Sequence, residues 1–213
     1  MYIYYPSNAT VYVRQVGGPN AVTEQWIGSG PDSVIIISGS APSYKAATGP
    51  GSKPSVLWSG NYLALSPTLD LTTAAWTVGA VVLSNGDGQL LGHSSNNFQV
   101  RKYRPNANNI SVYNGSVDIQ SSAFTTVFNN AVVCWWVYSG GSISYYENQT
   151  ARGGGSWTTF SSNLDRMGST SFGGNWAGYM SEICVWNVAF SAAQVAQLYT
   201  SYFSPRFGNV FSG

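Results

Sequence analysis

Residues 172–199, F-G-G-N-W-A-G-Y-M-S-E-I-C-V-W-N-V-A-F-S-A-A-Q-V-A-Q-L-Y, set an aromatic strand pattern through Asn187 ahead of one short amphipathic helix. Ser191 is a good N-cap residue, Gln194 stands three positions on at capping-box spacing, and Val195, Leu198 and Tyr199 share one stripe. The helix is expected to end before Pro205. A few turns with one apolar stripe do not hold alone in water, so this helix must pack on a sheet edge or an open end of a sandwich. No other segment is convincingly helical. Upstream, period-two or continuously apolar runs alternate with turn clusters.

Those runs predict strands at 10–16, 33–37, 55–57, 62–65, 76–83, 89–92, 98–103, 110–113, 132–138, 142–147 and 180–186. Between them lie Asn85-Gly86-Asp87-Gly88, Asn114-Gly115, Ser139-Gly140-Gly141 and Gly153-Gly154-Gly155, all turn chemistry. The run Val132-Val133-Cys134-Trp135-Trp136-Val137-Tyr138 is apolar on both faces, which places it centrally in a sheet covered on both sides. The expected core includes Val56, Leu63, Val78, Ala80, Val82, Val133, Trp135, Val137, Ile183 and Val185. With 213 residues the chain is long enough to close as one sandwich.

Only 8% of the residues are charged and the net charge is +1, so no global field draws the chain to nucleic acid, a membrane surface or a polyanion. The N-terminus M-Y-I-Y-Y-P-S-N has neither a basic nor an apolar leader region, and no run of about 18 apolar residues occurs. The expectation is cytoplasmic synthesis, with Cys134 and Cys184 as buried thiols in strand-like runs and a single cross-strand bridge between them as the alternative.

Lys53-Pro54-Ser55-Val56-Leu57-Trp58-Ser59-Gly60-Asn61-Tyr62-Leu63 resembles the entry strand of laminin G-like domains, and Ala75 to Val82 resembles the strand after it. Trp135 to Glu147 is similar to the family's later hairpin, with Gln149 where a glycine usually follows the asparagine. Met167-Gly168 and Gly178-Tyr179-Met180-Ser181-Glu182-Ile183 match the last strands. The resemblance implies an all-β, two-sheet antiparallel jelly-roll β-sandwich of the concanavalin A-like, laminin G-like kind with one short C-terminal helix. Its expected divisions are a Tyr-rich arm at 1–30, the sandwich at 31–203 and a tail at 204–213.

Function in such folds resides in sites. Glucanases of the superfamily place paired carboxylates on one strand face about 5–5.5 Å apart. Here Glu24, Glu147 and Glu182 are the only glutamates and His93 the sole histidine, with no nucleophile motif, so no enzyme is expected. No cofactor is expected either. Asp87 supplies one carboxylate for calcium, a cation that wants six to eight oxygens. Sugar sites on sandwiches combine aromatic rings with amides, which makes Trp157, Trp176, Asn96 and Asn97 the candidate glycan-binding residues. Arg101-Lys102-Tyr103-Arg104, the one basic cluster, reads as a solvated strand tip.

The ends depart from the family. Tyr2, Tyr4, Tyr5 and Tyr12 at one end and Phe207 and Phe211 at the other are the candidate protein-interface residues, because Tyr and Phe carry much interface energy. A charge-poor jelly roll with aromatic arms resembles virion structural proteins. The expectation is a bacteriophage capsid decoration or cement protein in the virion, a dimer or trimer contacting the major capsid protein or other virion proteins. The alternative is a glycan-binding module on a tail or fibre for host attachment. Neither nucleic acid nor membrane is an expected partner.

Overall fold

The computed structural model describes residues 11–14, 27–28, 35–38, 43–45, 49–53, 55–60, 62–84, 88–104, 107–126, 130–168 and 174–211. Sixteen strands appear among them. They are β1 (Val11–Arg14), β2 (Ile27–Gly28), β3 (Ile35–Ser38), β4 (Ser43–Lys45), β5 (Ser55–Ser59), β6 (Leu63–Leu69), β7 (Ala75–Ser84) and β8 (Gly88–Gly92). There follow β9 (Phe98–Arg104), β10 (Ala107–Asn114), β11 (Asp118–Gln120), β12 (Ala131–Ser139), β13 (Ser142–Glu147), β14 (Thr150–Ser156), β15 (Leu164–Met167) and β16 (Ala177–Trp186). Pairing is antiparallel throughout.

One sheet runs β11-β10-β9-β8-β15-β6-β3 and the other β1-β16-β7-β12-β13-β14, with β2 joining β3 to β1 and the β4–β5 pair added beside β16. The result is the two-sheet jelly-roll sandwich that the strand patterns predict. Each expected strand is present, while β2, β4, β11, β14 and β15 are additional. The expected turn at Gly153-Gly154-Gly155 is part of β14. Gly154 adopts φ +153, and a Cβ there would lie 2.0 Å from the Ile143 carbonyl oxygen. Glycine therefore lets the bulged strand press against β13, whose register shifts between Ser144 and Tyr146.

Strand β12 divides its side chains between two cores, as period-two geometry requires. Val132, Cys134, Trp136 and Tyr138 enter the space between the sheets, with Trp76, Val78, Val100, Ile110, Tyr145 and Ile183. Val133, Trp135 and Val137, which the sequence places in that same core, point the other way. They join Cys184, Trp186 and Phe190 under the C-terminal helical segment, where Val195, Leu198, Phe203 and Phe207 close over them. Cys134 and Cys184 thus sit in different layers and are free thiols. Burial pushes the Cys134 pKa up to about 12 and raises that of Cys184 as well.

Helix α1 (Ala192–Leu198) starts on the predicted cap: the Gln194 N–H donates to Ser191 Oγ at 3.3 Å, and the Ser191 N–H donates to Gln194 Oε1 at 2.8 Å. The helical path then passes Pro205. A π-helical turn over Tyr199–Phe203, closed by the Ser204 N–H donating to the Tyr199 carbonyl, leads into α2 (Ser204–Arg206), which contains Pro205. Glu182, 1% exposed, anchors this segment: Arg206 Nε lies 2.8 Å away, Tyr202 donates its hydroxyl proton at 3.1 Å, and the guanidinium stacks on the Tyr202 ring.

Gly79 in β7 makes room for the outer core. It sits opposite Trp135 on one side and Cys184 on the other, and a Cβ there would lie 2.8 Å from the Trp135 ring and 3.3 Å from the Trp186 ring. Gly79→Ala is expected to destabilise the protein by about 1–3 kcal/mol through overpacking, read as a lower urea midpoint with an unchanged slope. An unaltered midpoint would show that the two tryptophans are not confined by this slot.

Candidate functional site

The sheet β11-β10-β9-β8 has an apolar and a polar face, and the alternation is explicit in sequence. In β9, Phe98 and Val100 enter the inter-sheet core, as do Ile110 and Val112 in β10, so Gln99, Arg101, Ser111 and Tyr113 lie on the opposite face. Strand register lines them up in two rungs. Gln89, Arg101, Ser111 and Gln120 stand side by side across four strands, and Gln99, Tyr113 and Asp118 form the next row.

Arg101 organises both rungs. Its Nε donates to Ser111 Oγ at 2.9 Å, Nη1 to Gln99 Oε1 at 2.8 Å and Nη2 to Asp118 Oδ1 at 2.8 Å, while its guanidinium lies over the Tyr113 ring, 5.3 Å from the centroid. The network extends both ways. Gln99 Nε2 donates to Asn97 Oδ1; Gln120 Nε2 donates to Asp118 Oδ2 at 2.9 Å; Asn109 Nδ2 donates to Gln120 Oε1 at 3.0 Å. Gln99 and Arg101 form a nearly buried floor at 4% and 8% exposure, whereas Tyr113 and Asp118 are half-buried and Gln120 is exposed. Every charge in this floor is paired, which is how a guanidinium can be held away from water. What reaches solvent is the Tyr113 ring, the Asp118 carboxylate and the Gln120 amide, held in place by Gln99, Arg101 and Ser111 buried beneath them.

Lys102 faces inward at 1% exposure, and burial lowers its pKa against the pull of nearby Cys134 and Glu147. The basic cluster at 101–104 is therefore no solvated tip at its start: alternation sends Arg101 to one face and Lys102 to the other. Glu147, opposite Cys134 in register, accepts from the Thr125 N–H at 3.0 Å, the Thr126 N–H at 2.6 Å and the Thr125 hydroxyl, and pairs with Arg152. Burial alone would raise its pKa, but these donors outweigh burial and hold it below the ordinary value.

Neither expected tryptophan reaches solvent. Trp157 is 3% exposed and packs edge-on against Trp76, Tyr138 and Phe160, and Trp176 is fully buried in the inter-sheet core. These two rings fill the sandwich interior and offer no stacking face to a sugar. Asn97 belongs to the Arg101 network, and Asn96 donates its backbone N–H to His93 Nδ1 at 2.9 Å within a turn that His93 holds together. Phe207 and Phe211, 2% and 9% exposed, are spent in the outer core of their own chain, because the helical segment folds back over Trp135. Tyr2, Tyr4, Tyr5 and Asp87 lie outside the described residues. For Tyr12 only the backbone is described, paired with Cys184 in β16. Sequence inspection sought the site in loops and missed Gln99, Arg101, Ser111, Tyr113, Asp118 and Gln120, although alternating polar residues in Q-V-R and S-V-Y already mark a second face.

No protein-family model and no curated protein sequence matches this chain. Solved structures do. Domain 4 of AbnA, a GH43 extracellular arabinanase from Geobacillus stearothermophilus in complex with arabinotriose, superposes with a TM-score of 0.64 at 13% identity, covering 78% of this chain and 87% of that one. The botulinum neurotoxin serotype D binding domain gives 0.65 at 9% identity over 92% of this chain and 52% of that one. A candidate carbohydrate-binding protein from Bacteroides ovatus gives 0.52 at 16% identity, over 90% and 76%. The likeness is one of fold. Trypanosoma rangeli sialidase also matches, with a TM-score of 0.59 at 11% identity, over 90% of this chain and 32% of that one.

The buried carboxylate supplies a stability test. With the folded pKa of Glu147 lowered from 4.5, its contribution is complete above that value and is lost as pH falls through the folded pKa. Glu147→Gln is expected to flatten the acid limb of a stability-versus-pH curve measured by urea unfolding between about pH 2.5 and 7. An acid limb as steep as in the parent protein would assign that dependence to other groups.

Proposed function

We propose that this chain is a saccharide-binding module that reads sugar hydroxyls with the polar face of the β8–β11 sheet and performs no chemistry on them. One observation carries the reading: two register-aligned rungs of amides, hydroxyl and carboxylate, locked by Arg101, beside the half-buried Tyr113 ring. Groups fixed in advance lose little freedom when a ligand arrives, which is what binding of a flexible, hydrated sugar requires. The shared fold with an arabinanase domain held in an arabinotriose complex supports it, as does the likeness to the candidate carbohydrate-binding protein.

The carboxylates support binding over catalysis. Among the described residues Glu147 is engaged by Arg152 and backbone N–H groups in the inner layer, and Glu182 by Arg206 and Tyr202 in the outer one, so the two do not flank a common cleft. A shell-cementing role loses its C-terminal anchors, since Phe207 and Phe211 pack inside the chain.

On an oligosaccharide array followed by calorimetry, the parent protein is expected to bind, while Tyr113→Ala and Gln120→Ala each lose about tenfold or more in affinity without loss of fold. Binding that survives both substitutions would move the site off this face.

A further inference from the structure

The charge balance of the same face narrows the ligand. We propose that the site selects uncharged saccharides against acidic ones, and that the Arg101–Asp118 pair is the element that sets this selectivity. The proposal rests on the reading of the face as a saccharide site and adds to it the class of sugar.

A uronate or sialate carboxylate is recognised by a cation with donors to spare, most effectively a guanidinium presenting its fork. Arg101 is the guanidinium beside Asp118 and Tyr113, and its Nε, Nη1 and Nη2 each already donate a hydrogen bond. The bond to Asp118 cancels its charge at 2.8 Å, with the two side chains 10% and 14% exposed, and Nε and Nη1 are held by Ser111 and Gln99. Of the other cations, Lys102 points into the core at 1% exposure, Arg152 pairs with Glu147 and Arg206 with Glu182, while Arg166, in register with Gly92 on β15, lies over the Tyr62 ring at 4.5 Å, four strands along the sheet from Asp118.

An acidic sugar bound at the Asp118 rim would therefore meet a carboxylate, a like charge, beside an Arg101 guanidinium that Asp118 already offsets. A neutral hydroxyl meets the opposite situation. It can donate to a carboxylate and accept from an amide at once, and Asp118 with the exposed Gln120 presents that combination 2.9 Å apart at the rim. Their bond fixes both groups, so the acceptor and the donor stand in place before a ligand arrives.

The test compares neutral hexose and pentose oligosaccharides with uronic-acid-bearing chains of the same length, for the parent protein and for Asp118→Asn. The parent is expected to bind the neutral chains at least tenfold tighter, with an affinity unchanged between low and high salt. Asp118→Asn keeps the shape and removes the countercharge, so Arg101 becomes an unneutralised cation. The preference is then expected to shift at least tenfold toward the acidic chains, with binding that weakens as salt rises. A parent protein that prefers acidic chains would overturn the selectivity while leaving the site in place. An unshifted preference in a folded Asp118→Asn protein would overturn the role of the pair. Absence of binding to both classes would overturn the saccharide reading and this proposal together.

Discussion

The contact of Trp135 with the C-terminal helical segment is the interaction on which the rest of the molecule depends. β12 is apolar on both faces, so a two-sheet sandwich alone would leave Val133, Trp135 and Val137 in water. The chain meets that demand by folding its last residues over the outer face of β7, β12 and β16. Phe203 packs edge-on against Trp135 with ring centroids 5.3 Å apart, and Trp186 stacks on it at 6.3 Å. Large aromatic rings bury enough apolar surface to hold a helix too short to stand alone. Glu182 and Arg206 fix where the cover sits, and Gly79 lets the tryptophans approach the sheet.

Covering that sheet with helix has a consequence on the other side of the molecule. The two sheets share one inner core, and β7, β12 and β16 are clad outside by the chain's own C-terminus. The outer face of β8–β11 needs no apolar residues for the fold, and it carries Gln99, Arg101, Ser111, Tyr113 and Gln120. Packing constrains the inward positions Val100, Ile110 and Val112, while on the other face Gln99, Arg101 and Ser111 form a buried polar layer that leaves Tyr113, Asp118 and Gln120 toward solvent. Arg101 is the exception that proves costly to place: it is nearly buried, and each bond it makes to Ser111, Gln99 and Asp118 is part of keeping it charged there.

Much of this architecture was legible in the residues. The Ser191 capping box, the doubly apolar β12 and the Gly-bounded strand runs point to a covered sandwich with a terminal helix, because each is a local pattern with one physical solution. The remainder depended on long-range pairing. β14 hides behind three glycines that look like a turn until Ile143 of the neighbouring strand is placed against them. The helical path runs past Pro205, through a π turn over Tyr199–Phe203 that no local pattern announces. The site eluded loop-based reading since its rungs join residues as distant as Gln89 and Gln120, which only strand register brings into line. Trp157 and Trp176 looked like sugar platforms by residue type, yet burial decides that role, and both are inside.

The most direct test of the account is to label the protein with nitrogen-15, titrate it with a saccharide that binds, and map which amide signals move. The account predicts that the shifts concentrate at Asn97, Gln99, Arg101, Ser111, Tyr113, Asp118 and Gln120, with the indole signals of Trp157 and Trp176 unmoved. Shifts confined to the β14 edge or to the helical cover, with the β8–β11 face silent, would contradict it.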